Sequence, residues 1–275
     1  MDFHVVPFNF DYMFLSIDAG NSNIVFGLFD PKELLWKHEF RVETRFNLLE
    51  HELEGAMHLY FLENNLHKSQ ISQVGISSVV PEINALLVQF CQMYLRLSPY
   101  LISGESYRNL QISTSKPNEI GSDLMANAVA AYTKFQCACI IVDFGTALTF
   151  TVIDIKGEMK GVNIVPGIKT AIKSLHTNTS KLPEVSLDWP ASAIGKDTVH
   201  SIQAGILYGY AGLVKGMIES IKEELPNENF KIVATGGLSS ILVNLKERFD
   251  ELDRNLTLEG IRQITLHNRS GKSFQ

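Results

Sequence analysis

An apolar run, Phe14-Leu-Ser-Ile, breaks at Asp18-Ala19-Gly20-Asn21-Ser22-Asn23 and resumes as Ile24-Val-Phe-Gly-Leu-Phe29. Two apolar segments around a turn rich in Asn and Gly predict a β-hairpin. About 125 residues later the plan returns in Ile140-Ile-Val-Asp143-Phe-Gly145-Thr146-Ala147-Leu-Thr149-Phe-Thr-Val-Ile-Asp154. The chain is therefore read as carrying one hairpin twice. After the first copy, partial alternation over residues 34–42 predicts a third antiparallel strand, and apolar residues near helical spacing (Leu49, Leu53, Met57, Phe61) predict a helix over 48–66. Residues 74–80 read as a buried strand ended by Pro81, 83–97 as a second helix and 100–103 as a short strand. An Ala-rich helix starts near Asp123 with Ser122 or Asp123 as its cap, and a long helix runs from Thr198 to about Glu224. A short strand then leads into the glycine turn Thr235-Gly236-Gly237, ahead of a further helix.

Composition narrows the class. With 275 residues, 45% hydrophobic content and a mean hydropathy of +0.05, the chain reads as a soluble globular protein with room for two domains, divided here as 13–121 and 122–267. A net charge of -6 and a pI near 5.8 offer no basic face for nucleic acid, and no run of 18 apolar residues predicts a membrane span. The cysteines, Cys91, Cys137 and Cys139, are odd in number, and Cys137-Ala-Cys139 leads into a strand, so they read as reduced core residues of a cytoplasmic protein. Residues 1–12 lack the features of a signal peptide and read as an extension before Met13, and the polar tail 268–275 reads as disordered. The eight histidines are scattered, with His51 and His58 on an exposed helix face, and give no zinc spacing. Trp36 and Trp189 read as packing residues, and Ser77-Ser78 lacks the Gly-x-Ser-x-Gly setting of a hydrolase nucleophile.

The turns carry the candidate chemistry. A carboxylate at a strand end, such as Asp18, can hold a hydrated Mg²⁺, and the amides of Gly20, Asn21 and Ser22 can approach phosphate oxygens because glycine has no Cβ to obstruct them. One such turn alone is an ordinary hairpin; its duplication is what favours the phosphate reading. No Gly-rich loop followed by Lys and Ser/Thr is present, so the P-loop route is excluded. Asp123 stays open between a helix cap and a working carboxylate.

Duplicated Asp-Gly hairpins resemble the actin-like sugar-kinase superfamily, which clasps ATP phosphates between two ribonuclease-H-like domains. The implied fold class is α/β, with two duplicated ribonuclease-H-like domains and an interdomain ATP cleft. A narrower resemblance rests on Pro117-Asn-Glu119-Ile followed by Gly121-Ser122-Asp123-Leu124-Met-Ala-Asn127-Ala, set between Asp18-Ala-Gly-Asn-Ser and Asp143-Phe-Gly-Thr-Ala. Pro166-Gly167, Gly195-Lys196-Asp197-Thr198, Ala204-Gly205, Thr235-Gly-Gly and Leu258-Glu-Gly260-Ile follow in order, so that the pattern spans about 14–264. This ordered set resembles the type III pantothenate kinases.

The resemblance implies ATP-dependent phosphorylation of pantothenate to 4'-phosphopantothenate, the first step of coenzyme A synthesis. It implies Asp18 as the Mg²⁺ carboxylate, Ala19, Gly20, Asn21, Ser22 and Asn23 with Thr146 around the ATP phosphates, and Gly236 against the adenosine. Asp123 would be the general base on the substrate hydroxyl, with Gly121, Ser122 and Leu124 around the substrate. Asp143 would bind a monovalent cation, K⁺ or NH₄⁺, and Thr198 would touch substrate from the partner subunit of a homodimer with composite sites; its alternative role is a helix cap, which Asp197 could also fill. Two departures fall in the substrate pocket. The Asp of Gly-x-Asp is usually followed by Arg, here Leu124, and an aromatic usual seven residues before the Gly is here Thr114. They support one alternative, a non-catalytic or regulatory nucleotide-binding homologue; a further alternative is a kinase of a related hydroxyl substrate such as pantetheine.

Overall fold

The computed structural model describes residues 12–270 apart from 240 and 242. It contains two five-stranded mixed sheets, each with its own core and helices. In the first, β1 (Met13–Ala19), β2 (Asn23–Asp30) and β3 (Leu35–Glu43) are antiparallel, α1 (Glu50–Glu63) crosses to β4 (Ile71–Ser78), and α2 (Asn84–Phe90) crosses to β5 (Tyr100–Leu101). The strand order is β3-β2-β1-β4-β5. After α3 (Ser122–Phe135), the second sheet repeats the scheme with β6 (Cys139–Phe144), β7 (Ala147–Ile153) and β8 (Met159–Pro166) antiparallel. Helices α4 (Ile168–Thr177) and α5 (Thr198–Glu224) then lead to β9 (Lys231–Thr235), parallel to β6, and β10 (Glu251–Leu252) follows. Its order, β8-β7-β6-β9-β10, is the first order in the same chain sequence. The expected pair of ribonuclease-H-like halves is therefore present.

Among the described residues, one compact unit comprises 12–111, 115–130 and 257–270, and the other 112–114 and 131–256. The first half of α3 and helix α6 (Leu256–Ser270) thus belong largely with the first sheet.

Strand parity decides what each face does. Leu15, Ile17 and Ala19 on β1 pack with Leu53, Met57 and Phe61 of α1 and Leu87 and Phe90 of α2 in one buried core. Phe14, Ser16 and Asp18 have the opposite parity, and there Ser16 Oγ donates to the Leu258 carbonyl of α6 at 2.8 Å. Glycine is required where α6 approaches: a Cβ on Gly27 would sit 2.5 Å from a methyl of Leu258, and one on Gly75 would overlap Thr265. In the second sheet Ile140, Val142 and Phe144 pack with Leu207, Ala211, Val214 and Ile218 of α5, which leaves Asp143 on the other face.

Several local expectations are corrected. The helix expected over 83–97 is α2 followed by a wider turn over Cys91–Leu95 and a stop at Arg96 in the left-handed region (φ 61). Pro81 opens a short 3₁₀ turn, Pro81–Ile83. Strand β8 has no clear alternation in its sequence, because most of its side chains are exposed. Residues 268–270, read as disordered, continue α6, while 271–275 and, of the proposed extension 1–12, all but Tyr12 lie outside the described residues. The short strand after α5 leads into a glycine turn followed by a 3₁₀ segment, Val243–Arg248, where a helix was expected. Cys91 and Cys139 are buried free thiols, pushed up to about 12 by desolvation, whereas Cys137 is only half-buried. His51 and His58 are exposed, and the tryptophans pack edge-on, Trp36 on Phe29 and Trp189 on Tyr208. No helix among the described residues is long and apolar enough to cross a membrane.

Candidate active site

Asp18, one residue before the end of β1, is half-buried, and Asn21, Ser22 and Asn23 beyond the strand are exposed. Ala19 is fully buried, and its carbonyl accepts from Val79 N at 3.0 Å. Gly20 N donates to Asn23 O at 3.0 Å, so this amide, expected to meet phosphate, is engaged within the turn. Thr44, directly after β3, donates through Oγ1 to Gly20 O at 2.7 Å and through its amide to Ser22 O at 3.1 Å.

Asp123 belongs to the same compact unit as Asp18. Asp18 stands opposite Ser77 in the parallel β1–β4 register, and Ser77 Oγ lies 2.8 Å from Ser122 Oγ. Ser122 also accepts from Ser78 N at 3.0 Å, so its buried hydroxyl fastens the start of α3 to the end of β4 and is not open to a ligand. Asp123 follows directly, with Oδ1 accepting from Leu124 N at 2.8 Å. Part of its surface remains exposed, yet burial of the carboxyl pushes its pKa above the usual carboxylate range, against the lowering effect of backbone hydrogen bonds. A Cβ at Gly121 would overlap Asp123 Oδ1, so this glycine makes room for the carboxylate. Leu124 is half-buried, and Lys116, the nearest cation in sequence, is paired with Glu119 at 2.8 Å.

The second compact unit gathers Asp143, Thr146 and Gly236. Gly236 has φ +89, and a Cβ there would sit 2.5 Å from Asp143 Oδ1, so the glycine turn lies directly against the β6 carboxylate. In register with Asp143 are Thr149 on β7 and Thr235 on β9, both buried, whose hydroxyls have no hydrogen-bond partner. A half-buried carboxylate flanked on both sides by unpartnered hydroxyls is an all-oxygen setting suited to a hard cation. These threonines were not singled out in the sequence, because only strand register brings them to Asp143. Thr146 and Gly145 are exposed at the loop tip; Thr146 O accepts from Gly167 N at 2.9 Å and from Thr170 Oγ1 at 2.8 Å.

Thr198 is exposed at the start of α5, at the mouth of an open cleft of about 600 Å³ whose other lining residues include Leu175, Leu182, Lys196 and Ile202. Asp197 caps α5 by accepting from His200 N at 2.8 Å, so Thr198 is released from the capping role. Among the described residues no group of three or more His, Cys, Asp or Glu side chains is placed to hold a metal. A cation that keeps most of its waters, as Mg²⁺ does, needs only one carboxylate such as Asp18.

A family model described as type III pantothenate kinase matches residues 14–220. A type III pantothenate kinase of Citrifermentans bemidjiense is 39% identical over 257 residues, covering 94% of this chain and 100% of the relative. One from Anaeromyxobacter sp. (strain K) is 40% identical over the same length, with the same coverage. Among solved structures, a Campylobacter jejuni protein named for the Baf family of transcriptional activators superposes with a TM-score of 0.54 at 20% identity, over 93% of this chain and 99% of that one. At that identity the likeness speaks for the fold alone.

Proposed function

The chain belongs to the type III pantothenate kinase family, and from that membership we propose that it transfers a phosphoryl group from ATP to the primary hydroxyl of pantothenate, giving 4'-phosphopantothenate for coenzyme A synthesis. The observation that carries the reading is the Asp18–Ser77–Ser122–Asp123 chain of neighbours, which ties the carboxylate of β1 to the one at the start of α3. Asp123 accepts the substrate hydroxyl proton, a role suited to a carboxylate whose pKa is raised by burial. Asp18 would hold the hydrated Mg²⁺, the loop amides beyond Gly20 would donate to phosphate oxygens, and Thr146 would make a phosphate contact. Mg²⁺ at Asp18 and K⁺ or NH₄⁺ at Asp143, Thr149 and Thr235 would supply positive charge against the triphosphate. The Gly236 turn, which lies against Asp143, would take the adenosine.

We further propose a homodimer with composite sites, in which Thr198 serves the partner's substrate. Helix α5 supports this. Gly205, Gly209, Gly212 and Gly216 are exposed at spacings that align them on one face, and a Cβ at any of them would meet nothing within 4 Å. Each glycine inside a helix costs about 0.8–1.0 kcal/mol relative to Ala. A bare ridge of this kind permits close approach of another backbone, and the same helix carries Thr198. ATP use and reduced cysteines fit a cytoplasmic enzyme.

Leu124 favours a second reading, a substrate without the carboxylate of pantothenate, such as pantetheine. The test is a coupled ADP assay of the purified protein with ATP, Mg²⁺ and K⁺, comparing pantothenate with pantetheine. Turnover of pantothenate is the expected result. Turnover of pantetheine alone would favour the second reading, and ADP release with neither would mark a non-catalytic homologue.

A further inference from the structure

We propose that Thr44 is a positioning residue that aims the first hairpin loop's amides at the nucleotide phosphates. This deepens the kinase reading and rests on it. Across a trans peptide the C=O and N–H point in opposite directions, so a loop whose carbonyls are held on one side presents amides on the other. Thr44 holds two carbonyls of this loop, Gly20 O through its hydroxyl at 2.7 Å and Ser22 O through its amide at 3.1 Å. The N–H groups of Asn21 and Asn23, which share those peptide planes, are thereby directed away from Thr44. The Gly20 amide is spent on Asn23 O, so the Asn21 amide is the donor that the Thr44 hydroxyl sets. Without that hydroxyl the Gly20–Asn21 peptide can turn its carbonyl outward, and a carbonyl dipole facing phosphate repels where the amide attracts.

The second half repeats the device at the matching register. Gly167 follows β8 as Thr44 follows β3, and its amide holds Thr146 O as that of Thr44 holds Ser22 O. A side chain at Gly167 would overlap the carbonyls of Gly145 and Thr146, so the hydroxyl is supplied three residues later, by Thr170, on the same Thr146 carbonyl. Two loops of different sequence are thus held from the same side by the chain that leaves the third strand of each sheet.

Thr44→Val removes the hydroxyl and keeps the shape, whereas Thr44→Ser keeps the hydroxyl. Loss of one hydrogen bond of ordinary strength corresponds to about a three- to tenfold change in affinity. Thr44→Val is therefore expected to raise the KM for ATP and the Kd for ADP, measured calorimetrically without pantothenate, by about that factor. The pantothenate KM should stay put and Thr44→Ser should behave as wild type. ADP binding by Thr44→Val as tight as that of wild type would overturn the inference and leave the kinase reading intact. So would parallel weakening of ATP and pantothenate that Thr44→Ser fails to rescue. A wild-type chain that binds no ADP would overturn the kinase reading and the positioning role together.

Discussion

Ser122 Oγ lies 2.8 Å from Ser77 Oγ, and this contact fixes the first residue of α3 to the strand position that faces Asp18. Ser122→Ala would leave Ser78 N without its acceptor, at a cost of about 1–3 kcal/mol for the orphaned group. Urea denaturation should show that loss, and turnover should fall with it because Asp123 is the next residue. A destabilised variant with wild-type kcat would restrict the junction to a structural role.

Asp123→Asn is expected to lower turnover by about 10²–10⁴-fold, the range for loss of a general base. Stability should move differently. Burial raises the folded-state pKa of Asp123 above its unfolded value, so stability from this group is greatest at low pH and declines as pH climbs from the unfolded pKa through the folded one. At neutral pH the Asn variant should therefore melt no lower than wild type. The acid limb of the kcat profile should lie above that of an ordinary carboxylate. A variant that melts lower and still turns over would make Asp123 a helix-start residue.

Gly236→Ala should cost more than about 1 kcal/mol, since φ +89 is unfavourable to alanine and the added methyl presses on Asp143 Oδ1. Thermal melting in K⁺ and in Tris⁺ separates the two effects. Wild type should melt higher in K⁺, and Gly236→Ala should lose that increment as well as overall stability. Equal melting of wild type in both salts would remove the cation role from Asp143.

Leu124→Arg should lower the pantothenate KM by roughly ten- to a hundredfold, the worth of a charge-assisted hydrogen bond to its carboxylate. The pairing of Lys116 with Glu119 strengthens this expectation, because it engages the cation nearest in sequence. A low-micromolar wild-type KM that Leu124→Arg leaves unimproved would show that another group holds the carboxylate.

Mixing Asp123→Asn chains with chains altered at Thr198, each inactive alone, should restore activity through subunit exchange, since one site of the mixed dimer receives both intact residues. Exchange without recovery would confine Thr198 to its own subunit's site or to none.

The hairpins, the helix from Thr198 to Glu224 and the carboxylates at the strand ends were legible because each is announced by a local pattern: apolar strand, Asp-x-Gly break, helical spacing. Strand β8 was not, because exposed side chains such as Lys160 and Ile164 impose no alternation. Thr149 and Thr235 were not either: they lie 86 positions apart and acquire meaning only as neighbours of Asp143 across two strand pairings. Thr44 lies beyond the strand read over 34–42, and its role comes from where its hydroxyl lands.

The return of α6 to the first sheet sets an order of events during synthesis. Ser16 and Leu258 are bonded across 242 positions, and the face of β1 that carries Ser16 receives its helix only after the second unit has been made. The second unit draws nearly all its residues from 131–256 and can close while the nascent first sheet still has one face uncovered. Contacts of such long range slow folding and prolong the exposure of apolar surface. The unit translated first is thus completed last.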